Sequence, residues 1–431
     1  MVRQSGTVIA ILVICAAATR PNVMTSLGVE PMGQIIRAKD KAMDKDLPGT
    51  EFDDAQLANQ FGTMPDGFEA FDLEGFVKEV HHLYFDAAKP FPPEAGQQEN
   101  QYQEQYVHFH NWDHGRNVFA FTKWYVNREN SGISPENQFL LMLAALAHDV
   151  MHPGTPNRRD IVEKTFLHMV NNWKQKSGVL LKHYAEELLE SIGGEAISDT
   201  IRGALGCGQV PCVDGNDDEQ TVTDVLLDRA PQEVLHAWLT IQLLINHGFP
   251  DTEQRLQRLQ TVAIPILMTS ITAHFAVLLG PNFNDFAPQR IVQHVNAEAQ
   301  KEIPKLGLLL HFFDMGYIGQ SSAGSPNVGI KFAARYLVES DNSGKGLLCS
   351  LEKVKGGQVG FANGVVGGYL EALKEVIDSG VFETLKSGLA FFVNKVQSDD
   401  FGTELEKEKK EAQSTGAFNK LTECKSEEKK A

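Results

Sequence analysis

Cysteine is scarce in this chain: five in 431 residues, at Cys15, Cys207, Cys212, Cys349 and Cys424. No CxxC pair occurs among them, which argues against a thiolate zinc framework. Cys207 and Cys212 are close enough in sequence for a local disulfide or a labile thiol pair, and the redox compartment stays open. Net positive charge is missing too, with 39 Lys and Arg against 56 Asp and Glu, a formal charge of −17. A sequence-independent nucleic-acid binder needs a basic face, so that class is excluded. An anionic small substrate is not, because a bound metal ion supplies positive charge locally. Alternating strand patterns are rare, and no GxGxxG or GxxxxGK[ST] follows one, so neither phosphate-cradling loop is supported. Long apolar runs are few. The stretch Thr7–Ala18 is shorter than the roughly 20 residues a bilayer span requires. With Arg3 before it and small residues at Ala16–Ala18, residues 1–22 have the form of a secretory or targeting leader. A membrane anchor is the alternative reading, and membrane association is expected only through this segment.

What the sequence does contain is helical periodicity. Hydrophobic residues make up 42% and charged residues 22%, ordinary values for a chain with a packed core. Residues 23–65 mix Gly, Pro and charge without a clear period and read as a linker. From Phe68 apolar residues recur at three- and four-residue spacing, as in FEAFDLEGFVKEVHHLYF. Helices are predicted at 178–190, 233–247, 254–278, 299–313, 328–339, 364–378 and 381–397. NQFLLMLAALAHDVMH is apolar nearly all round, which places it at the centre, with Ser134 or Glu136 as its start signal and Pro135 near its first position. The expectation is an all-α, compact multi-helix bundle over residues 66–400. A loop-rich insertion is expected at about 191–232, and a charged, disordered tail at 401–431.

The chemistry concentrates in two short segments. HFHNWDH places His110 and His114 four apart, and ALAHDVMHPGTPN repeats that spacing at His148 and His152, with Asp149 beside the first. On a helix, residues four apart share a face. Asp314 closes the apolar helix KLGLLLHFF, where an acid is costly to bury unless paired or bound to metal. Each histidine alone is better explained as a satisfied core residue, and Asp314 alone equally well as a cap or ion-pair partner. Together they supply the imidazole and carboxylate donors that divalent ions take, pointing to a metal-dependent phosphohydrolase.

These residues also carry a resemblance. FHNWDHGRNV followed by HDVMHPGTPN resembles the YHNxxHAxxV and HDxxHxGxxN motifs of the class I 3′,5′-cyclic nucleotide phosphodiesterase catalytic domain, a branch of the HD superfamily. LMTSITAHF, LLLHFFDMGY and GGQVGFANGVV follow in the family's order, so the likeness spans about residues 68–397. It implies that His114, His148, Asp149 and Asp314 hold a tight ion, zinc in this family, and that Asp149 bridges to a second ion, magnesium or manganese. It implies His110 as general acid, with His152 and Glu190 supporting the metal ligands from behind. Gln358 would hydrogen-bond the base edge and Phe361 stack on the base. The implied activity is hydrolysis of cAMP, cGMP or both to nucleoside 5′-monophosphates by a hydroxide generated between the ions.

Several positions depart from the family pattern. Its ND…LENHH stretch falls near HYAEELLESIGG, where Glu190 is matched but the paired histidines are absent. Ser270 replaces an aspartate, Tyr317 an asparagine, and Gly115 an alanine. Two other readings therefore stay open: an HD-type phosphohydrolase acting on another nucleotide, and a catalytically degenerate member that binds cyclic nucleotide without turnover.

Overall fold

The computed structural model describes residues 54–84, 107–128, 131–210, 221–280, 286–318, 328–341, 348 and 350–414. Among these there is no strand, only an isolated bridge between Cys207 and Val210, and the chain is all-α. In chain order the helices are α1 (Asp54–Asn59), α2 (Leu73–Leu83), α3 (Trp112–Val126), α4 (Pro135–Ala147), α5 (Arg159–Lys164), α6 (Phe166–Trp173) and α7 (Leu181–Ile192). There follow α8 (Ser198–Ala204), α9 (Val222–Arg229), α10 (Pro231–Asn246), α11 (Arg255–Met268), α12 (Ile271–Leu279) and α13 (Pro288–Glu298). The last are α14 (Glu302–Met315), α15 (Val328–Asp341), α16 (Leu351–Gly360), α17 (Gly367–Ala372), α18 (Ser379–Gln397) and α19 (Asp399–Ser414).

Helix α4 sits at the centre because it has no polar face after its first turn. Every residue from Phe139 to Ala147 is buried, against α3 on one side and α11 and α14 on others. Its start follows the sequence signals: Ser134 is the N-cap, its hydroxyl accepting from the Asn137 N–H at 3.3 Å, and Pro135 opens the helix. Among the described residues no single helix is long and apolar enough to cross a membrane. Helices α11 and α12 pass such a test only as a pair bent by 60°, and both are apolar because they are buried in the core.

Four segments differ from the sequence expectation. The helix predicted over 254–278 breaks at Ser270, whose hydroxyl accepts from the Ala273 N–H and begins α12 as a new helix. The helix predicted over 364–378 begins earlier, as a π-turn over Phe361–Val366 that continues α16 into α17. Among its described residues the insertion is largely helical, with α8 and α9 in it, the latter started by a capping box between Thr221 and Asp224. Cys207 is disulfide-bonded, while Cys212 lies outside the described residues, as do the leader (1–22) and most of the linker. At the other end of that linker, α1 is already part of the fold, with Leu57 and Phe61 in the core.

The fourth difference is the tail. Residues 399–414 form α19, which packs along α15 and α18. Phe401, Leu405, Glu408 and Ala412 are buried, a stripe at three- and four-residue spacing that a mixed-charge run conceals. Phe401→Ala should therefore cost about 3–5 kcal/mol, as core Phe truncations do. Urea unfolding of the full chain measures it. A change inside about 0.5 kcal/mol, the usual effect of a surface substitution, would mean that the segment is solvated after all.

Candidate active site

Helix α4 ends at Ala147, and His148 is its C-cap. The chain then turns through Val150 and Met151, whose φ of 61° lies in the left-handed region that a side chain rarely adopts. The Met151 N–H donates to Leu83 O at 3.2 Å, and the Asp149 N–H to the Tyr84 hydroxyl at 3.2 Å, so the end of α2 holds this turn open. His148 and His152 consequently share no helix face. Nor do His110 and His114, because Asn111 is the N-cap of α3 and His110 precedes it. The four-residue spacing is thus no shared helix face, and tertiary packing brings these residues together.

His114 from α3, His148 and Asp149 from the turn after α4, and Asp314 from α14 converge, one ligand atom of each within 4.8 Å of all the others. His114 Nε2 lies 2.9 Å from Asp314 Oδ1 and 3.3 Å from Asp149 Oδ2, and His148 Nε2 lies 3.4 and 3.2 Å from the same two oxygens. Donors about 2.0–2.2 Å from one ion stand roughly 3–4 Å apart, so the group fits a divalent cation. His148 Nδ1 donates to Ala145 O at 2.9 Å, which leaves the Nε2 lone pair facing inward. Burial acts to raise both carboxyls, but the imidazoles hold Asp149 and Asp314 well below the usual carboxylate range. Two carboxylates placed this deeply need positive charge beside them, from protonated imidazoles or from a bound cation.

Beside this group stands a second, built around His110. Its Nδ1 makes a short hydrogen bond to Glu339 Oε1. Glu339 Oε2 accepts from three successive N–H groups, His108 at 2.9 Å, Phe109 at 2.6 Å and His110 at 3.2 Å. Burial works against protonation of His110, yet the Glu339 carboxylate outweighs it and pushes the imidazole up to about 9. His152 stacks on His110 with ring centres 3.7 Å apart and planes 18° from parallel. Burial and then the His110 charge hold His152 far below its ordinary value, and its Nδ1 accepts the Gly154 N–H at 2.9 Å. His110, His152 and Glu339 also approach within 4.8 Å. Stacked rings direct their in-plane lone pairs past one another, so this trio does not converge as a chelate.

Glu190 is not at the site: it is exposed near the end of α7. The positions expected of it are filled from α10, by Glu233 and His236, which have the three-residue spacing between Glu and the second His in LENHH. Both Glu233 oxygens accept from Asn157 Nδ2 at 2.7 Å, and the Asn157 side-chain oxygen accepts the Gln232 N–H at 3.1 Å. Burial pushes Glu233 up to about 8 and His236 down to about 3. His236 Nδ1 lies 3.6 Å from Asp149 Oδ1, the oxygen turned away from the four-donor cluster. An acid and a histidine one turn apart in the mostly apolar EVLHAWLTIQLL are the available signal.

Other departures find physical partners. A Cβ at Gly115 would stand 2.9 Å from Cζ and Oη of Tyr84 and 3.1 Å from Leu146 O, so glycine makes room for the phenol that holds Asp149. Ser270 donates to Arg229 O and caps α12. The Tyr317 side chain lies outside what the structure describes. Gln358 is buried on α16 with its side-chain oxygen lacking any hydrogen-bond partner, and Phe361, three residues on, is half-buried.

Residues 109–189 match the model of the 3′5′-cyclic nucleotide phosphodiesterase family, which bears out the resemblance read from the sequence. That stretch holds His110, His114, His148, Asp149 and His152, while Asp314, Gln358 and Phe361 lie beyond it. No curated protein matches the chain. Similar solved structures include two of the phosphodiesterase domain of a rhodopsin–phosphodiesterase fusion from the choanoflagellate Salpingoeca rosetta. One is 16% identical, covering 86% of this chain and 95% of that one at a TM-score of 0.44. The other is 17% identical, covering 86% and 92% at 0.46.

Gly115→Ala forces the new methyl against Tyr84 and should destabilise the chain by about 1–3 kcal/mol, the usual cost of overpacking. Gly368 on α17 has nothing within 4 Å of its absent Cβ, and Gly368→Ala should stabilise by about 0.5–1 kcal/mol. Denaturant midpoints of both variants decide it. Equal, small effects would show that Tyr84 does not occupy the space beside Gly115.

Proposed function

We propose that this chain, whose resemblance to the class I 3′,5′-cyclic nucleotide phosphodiesterases is shown over its first two motifs, hydrolyses cAMP, cGMP or both to nucleoside 5′-monophosphates. The observation that carries the reading is the adjacency of two unlike groups: a buried four-donor cluster that needs a cation, and a carboxylate-held imidazole that keeps its proton. His114, His148, Asp149 and Asp314 would hold the tighter ion, zinc by resemblance. By the same resemblance, Asp149 would also help to hold a second ion, magnesium or manganese. Bound there, divalent ions supply Lewis acidity toward the phosphate and a more acidic water. They also give a chain of charge −17 a local site for an anion.

The remaining work falls to side chains. Water oxygen adds to phosphorus as the bond from phosphorus to the 3′ oxygen breaks, and that oxygen leaves only if it is protonated. His110 supplies the proton, with Glu339 fixing its ring and stabilising the imidazolium until transfer. His152, neutral and stacked on His110, keeps the imidazolium in one orientation without competing for its proton. Gln358 would hydrogen-bond the base edge through the oxygen that now lacks a partner, and Phe361 would stack on the base. The degenerate reading drew on missing support residues; against it speak Glu233 and His236, buried beside Asn157 and Asp149.

Variants separate the roles. His114→Ala should lose bound metal and turnover together, whereas His110→Ala should keep its metal and lose turnover by about 10²–10⁴, the range for general acid catalysis. Metal analysis and assays of 5′-monophosphate from each cyclic nucleotide read this out. A metal-free His110→Ala, or a wild-type chain that cleaves other nucleotides but neither cyclic one, contradicts the proposal.

The pH profile tests Glu339. His110 must be protonated to act, and it is raised to about 9, so turnover should fall as pH rises through that value. Glu339→Gln removes the anion and leaves burial to lower the pKa, moving the alkaline limb to lower pH. An unmoved limb would mean that another group sets it.

A further inference from the structure

We infer that Glu408, on the C-terminal helix α19, is a positioning residue for the general acid. The inference rests on the assignment of His110 above. Glu408 is fully buried, and Oε2 lies 2.8 Å from His108 Nε2 and 3.2 Å from Arg335 Nε. His108 and Arg335 are themselves buried. Arg335 stands on α15 one turn before Glu339, so a single helix offers a guanidinium to Glu408 and a carboxylate to the segment His108–His110. The Arg335 guanidinium continues to Asp113 Oδ2 at 3.2 Å, in the first turn of α3, the helix that carries His114.

His108 is consequently held at both ends. Its N–H donates to Glu339 and its ring pairs with Glu408, two residues from the imidazole that must meet the leaving oxygen. Glu339 alone fixes the His110 ring and the three N–H groups, but it lies on α15, and the position of α15 against this segment is shared with α19. An apolar residue would have served the packing of α19 at no desolvation cost. A charged carboxylate in the core is tolerated because two donors from different elements meet on it. Removing it leaves a buried guanidinium and imidazole without their shared anion, free to shift the segment that bears His110. Positions of catalytic groups matter steeply, since a misplacement of about 1 Å costs on the order of a hundredfold in rate.

The test compares Glu408→Ala, Glu408→Gln and the exposed-site control Glu411→Ala in the full chain. Each variant is followed by kcat, KM, metal content and amide hydrogen exchange of the 108–110 segment. Glu408→Ala should lower kcat by at least about tenfold, with KM within about twofold and metal retained, while exchange at 108–110 speeds up. Glu408→Gln still offers an oxygen to His108 and Arg335, and should recover most of the loss. Glu411→Ala should match wild type. The inference is overturned if folded Glu408→Ala keeps wild-type kcat and exchange, or if Ala and Gln variants lose kcat, KM and metal in parallel. Should Glu408→Ala fail to fold, Glu408→Asp takes its place, since it withdraws the carboxylate by one methylene: lowered kcat and faster exchange at 108–110 with metal retained support the role, and wild-type kcat and exchange overturn it. Should wild type cleave neither cyclic nucleotide, the function proposed above falls, and the exchange measurement still judges the role of Glu408.

Discussion

Two carboxylates, Asp149 and Asp314, are held with their oxygens facing the same two imidazoles inside the core, and the rest of the structure can be derived from that constraint. Like charges this close repel strongly once water is excluded, and their attraction to a cation grows for the same reason. Such a cluster exists only where surrounding elements cannot relax away from it. That is why the helix leading into it is apolar on every side: α4 is locked among α3, α11 and α14, and its last residue delivers His148 and Asp149 to a fixed point. His114 and Asp314 come from two of those neighbours, so the packing that buries α4 also sets the distances between donors.

The turn after α4 is where local preference yields to the site. Met151 adopts a left-handed φ that costs of order 1–3 kcal/mol in a residue other than glycine or asparagine. Two hydrogen bonds from the end of α2 and a half-buried Asn157–Glu233 contact hold the chain on either side of it. In return, His152 is turned away from the four donors and laid against His110. The same five residues thereby contribute to both groups, one that attracts a cation and one that carries a proton.

Much of this was legible in the sequence, and the unread part has a common cause. The all-α fold, the central place of α4 and its Ser134–Pro135 start follow from periodicity and capping, which are local. The residues that could meet at one point were recognisable as types in order. Residues whose identity is ordinary and whose burial is tertiary were not. Glu339 sits in an amphipathic helix like many acids, Glu408 in a run of alternating charge, and Glu233 and His236 in a helix whose sequence signals no site. Glu190 was chosen because an acid near the expected place was visible, whereas its exposure on α7 was not. Gly115 looked like a loss until Tyr84 was seen beside it.

The central claim is that the buried carboxylate–imidazole cluster exists to hold a divalent cation. Thermal unfolding of the purified full chain, with metal stoichiometry determined before and after exhaustive chelation and again after zinc is restored, tests it without reference to any substrate. A cation that binds only the folded state raises stability by mass action. The account predicts at least one tightly held ion per chain, a clear fall in Tm when it is stripped, and recovery on zinc addition that Asp314→Ala abolishes. A chain purified without bound metal, whose Tm is indifferent to chelator and to added zinc, would contradict it.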